Sequence, residues 1–253
     1  MKKTDSTRLL FDLNIFSKRK ADLLKMFDNW LKEDSGLHIV YTPNAEQIVQ
    51  SRGDKKFLEV LQQADLLLPD GVGLVMAARF LSIFNKANPI AQRITGVSVV
   101  VELLEVVKKL DLDVLVIGGR NYSPSDYFAY QGVKVNWTPG YEQAFSPTTQ
   151  EEKQLEEMIK QIKPRLVFVA LGAPTQELWI AQHRNLLRKN NVEIVMAVGG
   201  SFDYLLNKVP RAPRWMQKLG LEWLFRLIIE PWRIKRQLRL IEFIALTIKK
   251  AID

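Results

Sequence analysis

The sequence predicts an α/β fold in which helices flank a mostly parallel sheet and a basic helical appendage follows at the C-terminus. Three observations predict this fold. Short apolar runs alternate with longer amphipathic stretches along the chain, as they do in repeated strand–helix–strand units. Several runs consist of leucine and β-branched residues without interruption, which is typical of strands buried on both faces. Basic residues concentrate in the last part of the chain.

The apolar runs predict the strands of a Rossmann-like sheet, because helical stretches separate most of them. The predicted strands span residues 9–13, 38–41, 65–68, 114–117, 133–136, 166–170 and 194–198. The amphipathic stretches between the runs predict the helices that cover this sheet. The predicted helices span residues 21–32, 45–50, 55–63, 72–80, 97–108, 149–163 and 176–189.

The chain leaves this alternating pattern after the last predicted strand. Residues 208–213 combine two prolines with two basic residues, and they mark the predicted boundary between an α/β catalytic domain (1–207) and an appendage (208–253). The appendage carries 11 Lys and Arg against 4 Asp and Glu, so it holds nearly all of the net charge of +8. We predict that it is helical, with Pro231 starting or kinking a helix. Such concentrated charge favours a polyanionic partner.

The composition excludes several kinds of chemistry. The chain has no cysteine, which excludes disulfides, thiolate metal sites and cysteine nucleophiles. With His38 and His183 as its two histidines, it cannot form a multi-histidine metal cage. No apolar run reaches the roughly 18 residues of a membrane-spanning helix, and the N-terminus lacks a signal-peptide pattern. We therefore expect a cytoplasmic protein that meets a membrane from one side.

Small and polar residues follow five of the predicted strands, at the edge where parallel sheets bind ligands. Glycines in such loops let backbone amides approach a ligand, and the helix N-termini behind them favour anions such as phosphate. The loops are Thr42-Pro43-Asn44, Pro69-Asp70-Gly71-Val72-Gly73, Gly118-Gly119-Arg120-Asn121, Leu171-Gly172-Ala173-Pro174-Thr175-Gln176 and Gly199-Gly200-Ser201-Phe202-Asp203. None of them matches the dinucleotide-binding or P-loop motif, so NAD and ATP lose support as ligands.

Asp70 is the first candidate for chemistry, because a carboxylate beside an acceptor hydroxyl can act as general base in glycosyl transfer. The alternative is a helix N-cap or turn residue, since Asp-Gly is a turn signal. Thr42 and Asn44 can hydrogen-bond a substrate, or Asn44 can cap the helix that begins at Ala45. Arg93 can neutralise a diphosphate, or it can be a surface residue ahead of a helix.

Two further groups of candidates lie later in the chain. Gln176 can contact the sugar or the nucleotide of a donor, or it can simply begin a helix. In the appendage, apolar and aromatic residues are interleaved with Arg226, Arg233 and Arg236, which share one face if a helix continues past Pro231. This pattern fits a helix that docks in a membrane interface. It equally fits a lid whose apolar stripe packs on the core.

Six segments together carry a family resemblance. They are Thr-Pro-Asn-Ala-Glu (42–46), Pro-Asp-Gly-Val-Gly (69–73), Arg-Ile-Thr-Gly (93–96), Gly-Ala-Pro-Thr-Gln-Glu (172–177), Val-Gly-Gly-Ser-Phe-Asp (198–203) and the segment 211–227. In this order they resemble the WecG/TagA/CpsF family, glycosyltransferase family 26, over most of the chain. The most specific piece is Leu-Gly-Leu-Glu-Trp-Leu-Phe-Arg at 219–226.

The resemblance implies an inverting, metal-independent hexosyltransferase that needs no cofactor. It would transfer a sugar, ManNAc in the best-described type, from a UDP-sugar donor to GlcNAc on undecaprenyl diphosphate, in the assembly of teichoic acid or another surface polysaccharide. The resemblance also implies roles for the candidate residues. Asp70 would be the catalytic base, with Thr42 beside it in the acceptor pocket. The substrate cleft would include Asn44, Arg93 and Gln176, and Arg226, Arg233 and Arg236 would close over the site and hold the diphosphates.

Alternatives to this function remain at the level of the sequence. Within the family, the donor can be UDP-ManNAcA or UDP-glucose. From another class, a non-enzymatic protein can bind nucleic acid or a membrane through the basic appendage, although no nucleic-acid motif is present. We expect no nucleic acid and a location on the inner face of the cell membrane, against its anionic surface. A homo-oligomer fits as well as a monomer, because the appendage can close over its own site or a neighbour's.

Overall fold

The computed structural model describes residues 6–33, 35–84, 86–119, 127–231 and 234–252. In this part of the chain nine strands form one sheet. The strands are β1 (Thr7–Leu10), β2 (Leu13–Phe16), β3 (His38–Tyr41), β4 (Leu66–Leu67), β5 (Val114–Gly118), β6 (Tyr127–Tyr130), β7 (Val133–Thr138), β8 (Leu166–Ala170) and β9 (Ile194–Ala197).

Helices connect these strands and form the C-terminal segment. They are α1 (Lys20–Lys32), α2 (Ala45–Gly53), α3 (Lys55–Gln62), α4 (Val72–Ile83), α5 (Gly96–Leu110), α6 (Thr149–Ile162), α7 (Thr175–Gln182), α8 (Arg184–Lys189), α9 (Ser201–Leu205), α10 (Arg214–Lys218), α11 (Glu222–Ile229) and α12 (Ile234–Ile252).

The strands lie in the order β1-β2-β4-β3-β9-β8-β5-β7-β6. Neighbours from β2 through to β7 are parallel, and the two pairs at the edges of the described sheet, β1–β2 and β7–β6, are antiparallel. The predicted α/β fold with a mostly parallel sheet is therefore confirmed. Because β4, β3 and β9 are neighbours, the loops that follow them meet at one edge of the sheet.

The sheet is buried on both faces, so successive residues of one strand enter opposite cores. In β3, Tyr41 packs with residues of α2, α3 and α4, whereas Val40 packs with residues of α1 and α5. In β8, Val169 and Phe168 divide between the two cores in the same way. This double burial explains why the strands read as uninterrupted apolar runs.

The prediction of a single strand at residues 9–13 is wrong, because the chain turns back on itself there. β1 and β2 form an antiparallel hairpin whose turn residues, Phe11 and Asp12, have positive φ of 49° and 65°, as in a type I′ turn. Phe11 is nevertheless buried and packs edge-to-face on Phe243, with ring centroids 5.3 Å apart. Because a distant helix buries this turn, its apolar residue continues the apolar run of the strands in the sequence, and the run was therefore predicted as one strand.

The single helix predicted at residues 176–189 is also wrong, because α7 and α8 meet at His183. The His183 ring binds the Trp179 carbonyl through Nδ1 and Glu152 Oε2 through Nε2, each at 2.9 Å, which stabilises the junction. Strand β6 was not predicted. The other predicted strands and helices are confirmed, with ends that differ by a few residues.

The C-terminal segment consists of α10, α11 and α12, and its last helix packs along α2 and α4. Phe243, Thr247 and Ala251 are buried and lie four residues apart, so they form one inward stripe. Arg239 Nη1 binds Glu46 Oε1 of α2 at 3.1 Å. Within the described ranges, no helix is both long and apolar enough to cross a membrane.

Helix α11 ends before Pro231, and the next helix among the described residues is α12. α11 ends at Ile229 and α12 begins at Ile234, as expected because a proline supplies no amide hydrogen and disrupts a continuing helix. Arg226 and Arg236 therefore do not share one face of one helix. Arg226 belongs to α11 and Arg236 to α12, whereas Arg233 lies outside the described residues.

Candidate active site

A cavity of about 680 Å³ lies where the loops after β3 and β4 meet α4 and the C-terminal helices. Its polar end is lined by Asn44, Asp70, Arg93, Arg211, Glu222 and Arg226. Its other walls are mostly apolar side chains of α4, α11 and α12, together with Glu46 of α2 and Tyr204 of α9. The cavity thus joins the edge of the sheet to the segment that carries the excess positive charge.

Asp70 lies between β4 and α4, and its backbone fixes the position of its carboxylate. Its amide donates hydrogen bonds to the carbonyls of Leu68 (2.8 Å) and Pro43 (3.2 Å). The N-cap of α4 is Gly71, which has a φ of 109°, a conformation that favours glycine. Asp70 therefore does not cap the helix that follows it. Its carboxylate instead accepts a hydrogen bond from the amide of Gly96, the first residue of α5.

The environment of Asp70 raises the pKa of its carboxyl group toward neutral pH. About 31% of the side chain is accessible, and it faces the cavity. Burial raises the pKa of Asp70 to about 6, against a lowering effect of Arg93 and of the Gly96 amide. Glu222 raises this pKa further by charge repulsion. Such a group is largely ionised at neutral pH and still accepts a proton readily.

Arg93 stands between two carboxylates from distant parts of the chain. Its Nη2 lies 3.9 Å from Asp70 Oδ1 and hydrogen-bonds to Glu222 Oε2 of α11. Arg211 Nε approaches the other oxygen of Glu222 at 3.6 Å. Among the described residues, Arg93 Nε is buried without a hydrogen-bond partner. A chain of alternating charges therefore connects the loop after β4 with the C-terminal segment.

Asn44 both caps a helix and lines the cavity. Its side chain accepts a hydrogen bond from the Gln47 amide at 3.1 Å, while Gln47 Oε1 accepts one from the Asn44 amide at 3.1 Å. This capping box starts α2. Its place in the cavity wall beside Asp70 leaves the amide group of the side chain within reach of a bound ligand.

Thr42 is buried behind the cavity and is not part of its lining. Its hydroxyl donates a hydrogen bond to the Ala197 carbonyl at 3.1 Å, which ties the end of β3 to the end of β9. A Cβ added to Gly96 would lie 3.7 Å from both the Thr42 methyl group and Asp70 Oδ2. Thr42 therefore packs close to the catalytic candidate, behind the α5 N-terminus.

Gln176 is buried and lies outside the cavity lining. Its Oε1 accepts a hydrogen bond from the Gly199 amide at 3.0 Å, and its Nε2 donates one to Glu177 Oε1 at 2.9 Å. Gln47 Nε2 also donates to Glu177 Oε1, at 3.0 Å. Burial raises the pKa of Glu177 to about 7. This network joins α2, α7 and the loop after β9, so it orients the loops rather than facing the cavity.

Arg226 lines the cavity from α11. Its Nη2 lies 3.5 Å from Glu230 Oε2, and its guanidinium lies 5.1 Å from the ring centroid of Tyr204. Its Nε is buried without a partner among the described residues. Of Arg236, the structure describes only its position in α12.

Glu222, Arg211 and the apolar walls were not predicted as parts of the site. Glu222 had a signal in the sequence, because it stands in the specific segment 219–226 and is one of few acidic residues in a basic region. Arg211 had a weaker signal in the sequence, since it is simply one of two basic residues in the proline-containing segment 208–213. No sequence pattern shows that Glu222 faces Arg93, because these two residues lie 129 positions apart.

Comparison with known proteins gives a consistent answer. Residues 8–253 match the family described as "Glycosyl transferase WecG/TagA/CpsF family". One similar protein is the N-acetylglucosaminyldiphosphoundecaprenol N-acetyl-beta-D-mannosaminyltransferase of Bacillus subtilis (strain 168). It is 34% identical over 217 residues, which cover 84% of this chain and 79% of that protein.

Two further relatives carry the same name. The protein of Bacillus spizizenii is 28% identical over 225 residues, with 87% of this chain and 82% of the relative covered. The protein of Staphylococcus aureus (strain NCTC 8325 / PS 47) is 28% identical over 235 residues, with 92% and 87% covered. The match over nearly the whole length shows that this chain belongs to the WecG/TagA/CpsF family and is a glycosyltransferase.

Proposed function

We propose that this glycosyltransferase moves N-acetylmannosamine from UDP-ManNAc to the GlcNAc of an undecaprenyl-diphosphate-linked acceptor, in the assembly of a cell-wall polymer. The names of the relatives support this acceptor and this sugar. The observation that carries the proposal is the carboxylate of Asp70, which faces a cavity beside Arg93 and has a pKa near neutrality. The basic appendage left open a non-enzymatic protein that binds nucleic acid or a membrane. Membership of a glycosyltransferase family argues against that alternative.

In the proposed reaction, Asp70 is the general base. The acceptor hydroxyl attacks the anomeric carbon of the donor sugar and gives its proton to the carboxylate. The new carbon–oxygen bond forms as the bond to UDP breaks, and UDP leaves with the electron pair. Attack from the face opposite UDP inverts the configuration at the anomeric carbon.

We assign the diphosphate to the arginines of the polar end. Arg93, Arg211 and Arg226 line one cavity, and guanidinium groups neutralise phosphate oxygens while presenting several donors. They would stabilise the charge that develops on the leaving UDP, so we propose that the transfer needs no metal ion. The family resemblance implies that Arg233 and Arg236 would also hold the diphosphates.

The remaining predicted site residues take supporting roles. Asn44 would bind substrate from the cavity wall, since it lies beside Asp70. Thr42 and Gln176 would hold the strand-end loops in place through their bonds to Ala197 and Gly199. Their effect on catalysis would therefore be indirect, through the position of groups that touch the substrate.

We further propose that the C-terminal segment, residues 208–253, docks the enzyme on the anionic inner face of the cell membrane. Large apolar side chains of this segment are exposed, among them Trp215, Leu219, Ile228 and Ile229. Apolar side chains interleaved with lysines and arginines suit a membrane interface. Association between two copies is the alternative use of this surface.

The donor and acceptor can be tested directly. The purified enzyme is incubated with prenyl-diphosphate-GlcNAc and, in separate reactions, with UDP-ManNAc, UDP-ManNAcA, UDP-glucose or UDP-GlcNAc, and the products are identified by mass spectrometry. We expect addition of one N-acetylhexosamine from UDP-ManNAc and release of UDP. Transfer from another donor alone would contradict the sugar assignment, and absence of transfer from all four would contradict the proposed function.

A further inference from the structure

The second half of the cavity is a groove between α4 and α12. On α4 it is lined by Val72, Met76 and Phe80, which recur every four residues and so lie on one face of the helix. On α12 it is lined by apolar side chains that also recur at helical spacing, including Ile244 and Ile248. We call this part of the cavity the α4–α12 groove.

These apolar side chains are not needed for the core of the protein. Met76 is 61% exposed and Ile244 is 51% exposed, although other faces of their helices, α4 and α12, already pack against the rest of the protein. The core face of α4 is formed by Leu74, Ala78 and Leu81, which are buried. A second apolar face that remains open and concave indicates a binding site for an apolar ligand.

The groove also has charged groups at one end. It opens into the polar end of the same cavity, where the guanidinium groups of Arg93, Arg211 and Arg226 lie with the carboxylates of Asp70 and Glu222. The polar group of Thr247, in the groove wall, is already satisfied by the Phe243 carbonyl at 2.8 Å. The cavity therefore complements an amphiphile with an anionic head and a long unbranched or repeating apolar chain.

We infer that the α4–α12 groove binds the first isoprene units of the lipid acceptor, with the acceptor's diphosphate at the arginines. This inference rests on the proposed function and adds the location of the lipid chain. The chain runs from the polar end along Met76 and Phe80 on one side and Ile244 and Ile248 on the other. It leaves the enzyme beside the exposed apolar residues of the C-terminal segment.

If the groove binds the lipid chain, the KM for the acceptor depends on the length of that chain. Three acceptors with the same GlcNAc-diphosphate head and an ethyl, geranyl or farnesyl chain are compared, without membrane or detergent. For the unaltered enzyme we expect KM to fall from ethyl to farnesyl, with kcat nearly constant, because a longer chain buries more apolar surface in the groove.

A pair of matched variants tests the location. Ile244→Asn places an amide in the groove, and Ile241→Asn makes the same change on α12 at a position that is 66% exposed and outside the cavity lining. We expect Ile244→Asn to raise the KM for the farnesyl acceptor roughly tenfold, with the ethyl acceptor unchanged. Ile241→Asn should match the unaltered enzyme with all three acceptors. Met76→Asn, on the opposite wall, should reproduce the effect of Ile244→Asn.

Each outcome of this experiment has a distinct meaning. A KM that does not depend on chain length, or equal effects of Ile244→Asn and Ile241→Asn, would overturn the groove assignment and leave the proposed function intact. Equal losses with all three acceptors, together with dissociation of a dimer in sedimentation, would overturn it in favour of contact with a second copy. Absence of transfer to every acceptor would overturn the proposed function and the groove assignment together.

Discussion

At the scale of single residues, the site depends on how two carboxylates share one arginine. Asp70 and Glu222 both face Arg93, and the charge of Glu222 raises the pKa of Asp70. Arg211 Nε lies 3.6 Å from the second oxygen of Glu222, and the charge of Arg211 lowers the pKa of Asp70. The balance keeps Asp70 ionised at neutral pH and basic enough to accept a proton.

Replacing Asp70 by asparagine should abolish the proposed base while preserving the shape of the side chain. We expect kcat to fall roughly 10²- to 10⁴-fold with little change in KM, because general bases contribute about this much. Steady-state kinetics of sugar transfer measure the effect. Asp28→Asn, at a surface residue that pairs with Lys32, serves as the control. Activity of Asp70→Asn within a few-fold of the unaltered enzyme would remove Asp70 from the mechanism.

The same replacement should stabilise the protein at high pH. Burial raises the pKa of Asp70 from 3.8 to about 6, so the folded chain holds this proton more tightly than the unfolded chain. The carboxylate therefore destabilises the fold progressively as pH rises from about 4 through 6. We expect Asp70→Asn to raise the free energy of unfolding by about 1–2 kcal/mol at pH 8, after allowance for solvent screening.

At pH 4.5 the gain should be much smaller, because Asp70 is then largely protonated in the folded chain. Urea denaturation at the two pH values measures both free energies. An equal effect at the two pH values would show that the carboxylate's charge is not the cause.

Glu222 sets the pH range of activity if Asp70 is the base. Since Glu222 raises the pKa of Asp70, Glu222→Gln should lower it and shift the acid limb of the kcat/KM profile to lower pH. Glu230→Gln, which alters a carboxylate that pairs with Arg226 on α11, provides the comparison. A shift to higher pH, or the same shift in both variants, would contradict this coupling between Glu222 and Asp70.

At the scale of elements, α12 contributes to the core as well as to the site. Phe243 is buried between the β1–β2 hairpin and the helices beneath it. We expect Phe243→Ala to lower the free energy of unfolding by about 3–5 kcal/mol, whereas Ile241→Ala on the exposed face should change it by less than about 0.5 kcal/mol. Urea denaturation compares the two variants, and equal losses would show that α12 does not pack as described.

The elements also show what sequence patterns can and cannot predict. Strands buried on both faces are visible as apolar runs, so β3 and β8 were predicted with their observed ends. The turn at Phe11 was missed because its burial depends on Phe243, more than two hundred residues away. The junction at His183 was missed because it depends on bonds to Glu152 of another helix. Local sequence patterns therefore predicted the strands and helices. Tertiary contacts determined where the chain turns or a helix ends within a predicted element.

At the scale of the whole molecule, strand-end motifs predicted where the site lies but not which side chains face its cavity. Asp70 and Asn44 stand in loops that the parallel sheet brings to one edge, so their shared cavity followed from topology. Arg93 lies in the loop between α4 and α5, and no strand-end motif predicted its place in the same cavity. Thr42 and Gln176 stand at the same edge, yet their side chains bond to Ala197 and Gly199 behind the cavity. The spacing of residues along the sequence does not show whether a loop side chain points into the cavity or behind it.

The uneven distribution of charge gives a test of the proposed membrane docking. Because the excess basic residues lie in the C-terminal segment, we expect binding to vesicles rich in anionic lipid that weakens strongly between about 50 and 500 mM salt. Co-sedimentation with anionic and with neutral vesicles measures it. Equal binding to both kinds of vesicle, or no effect of salt, would contradict electrostatic docking.

The contact between Phe11 and Phe243 joins the earliest element of the sheet to the last helix. During translation, the hairpin leaves the ribosome long before α12 exists, so Phe11 has no cover while most of the protein is made. The wall of the groove is completed only when α12 has emerged. A nascent chain released before that point would therefore leave Phe11 uncovered and lack one wall of the α4–α12 groove.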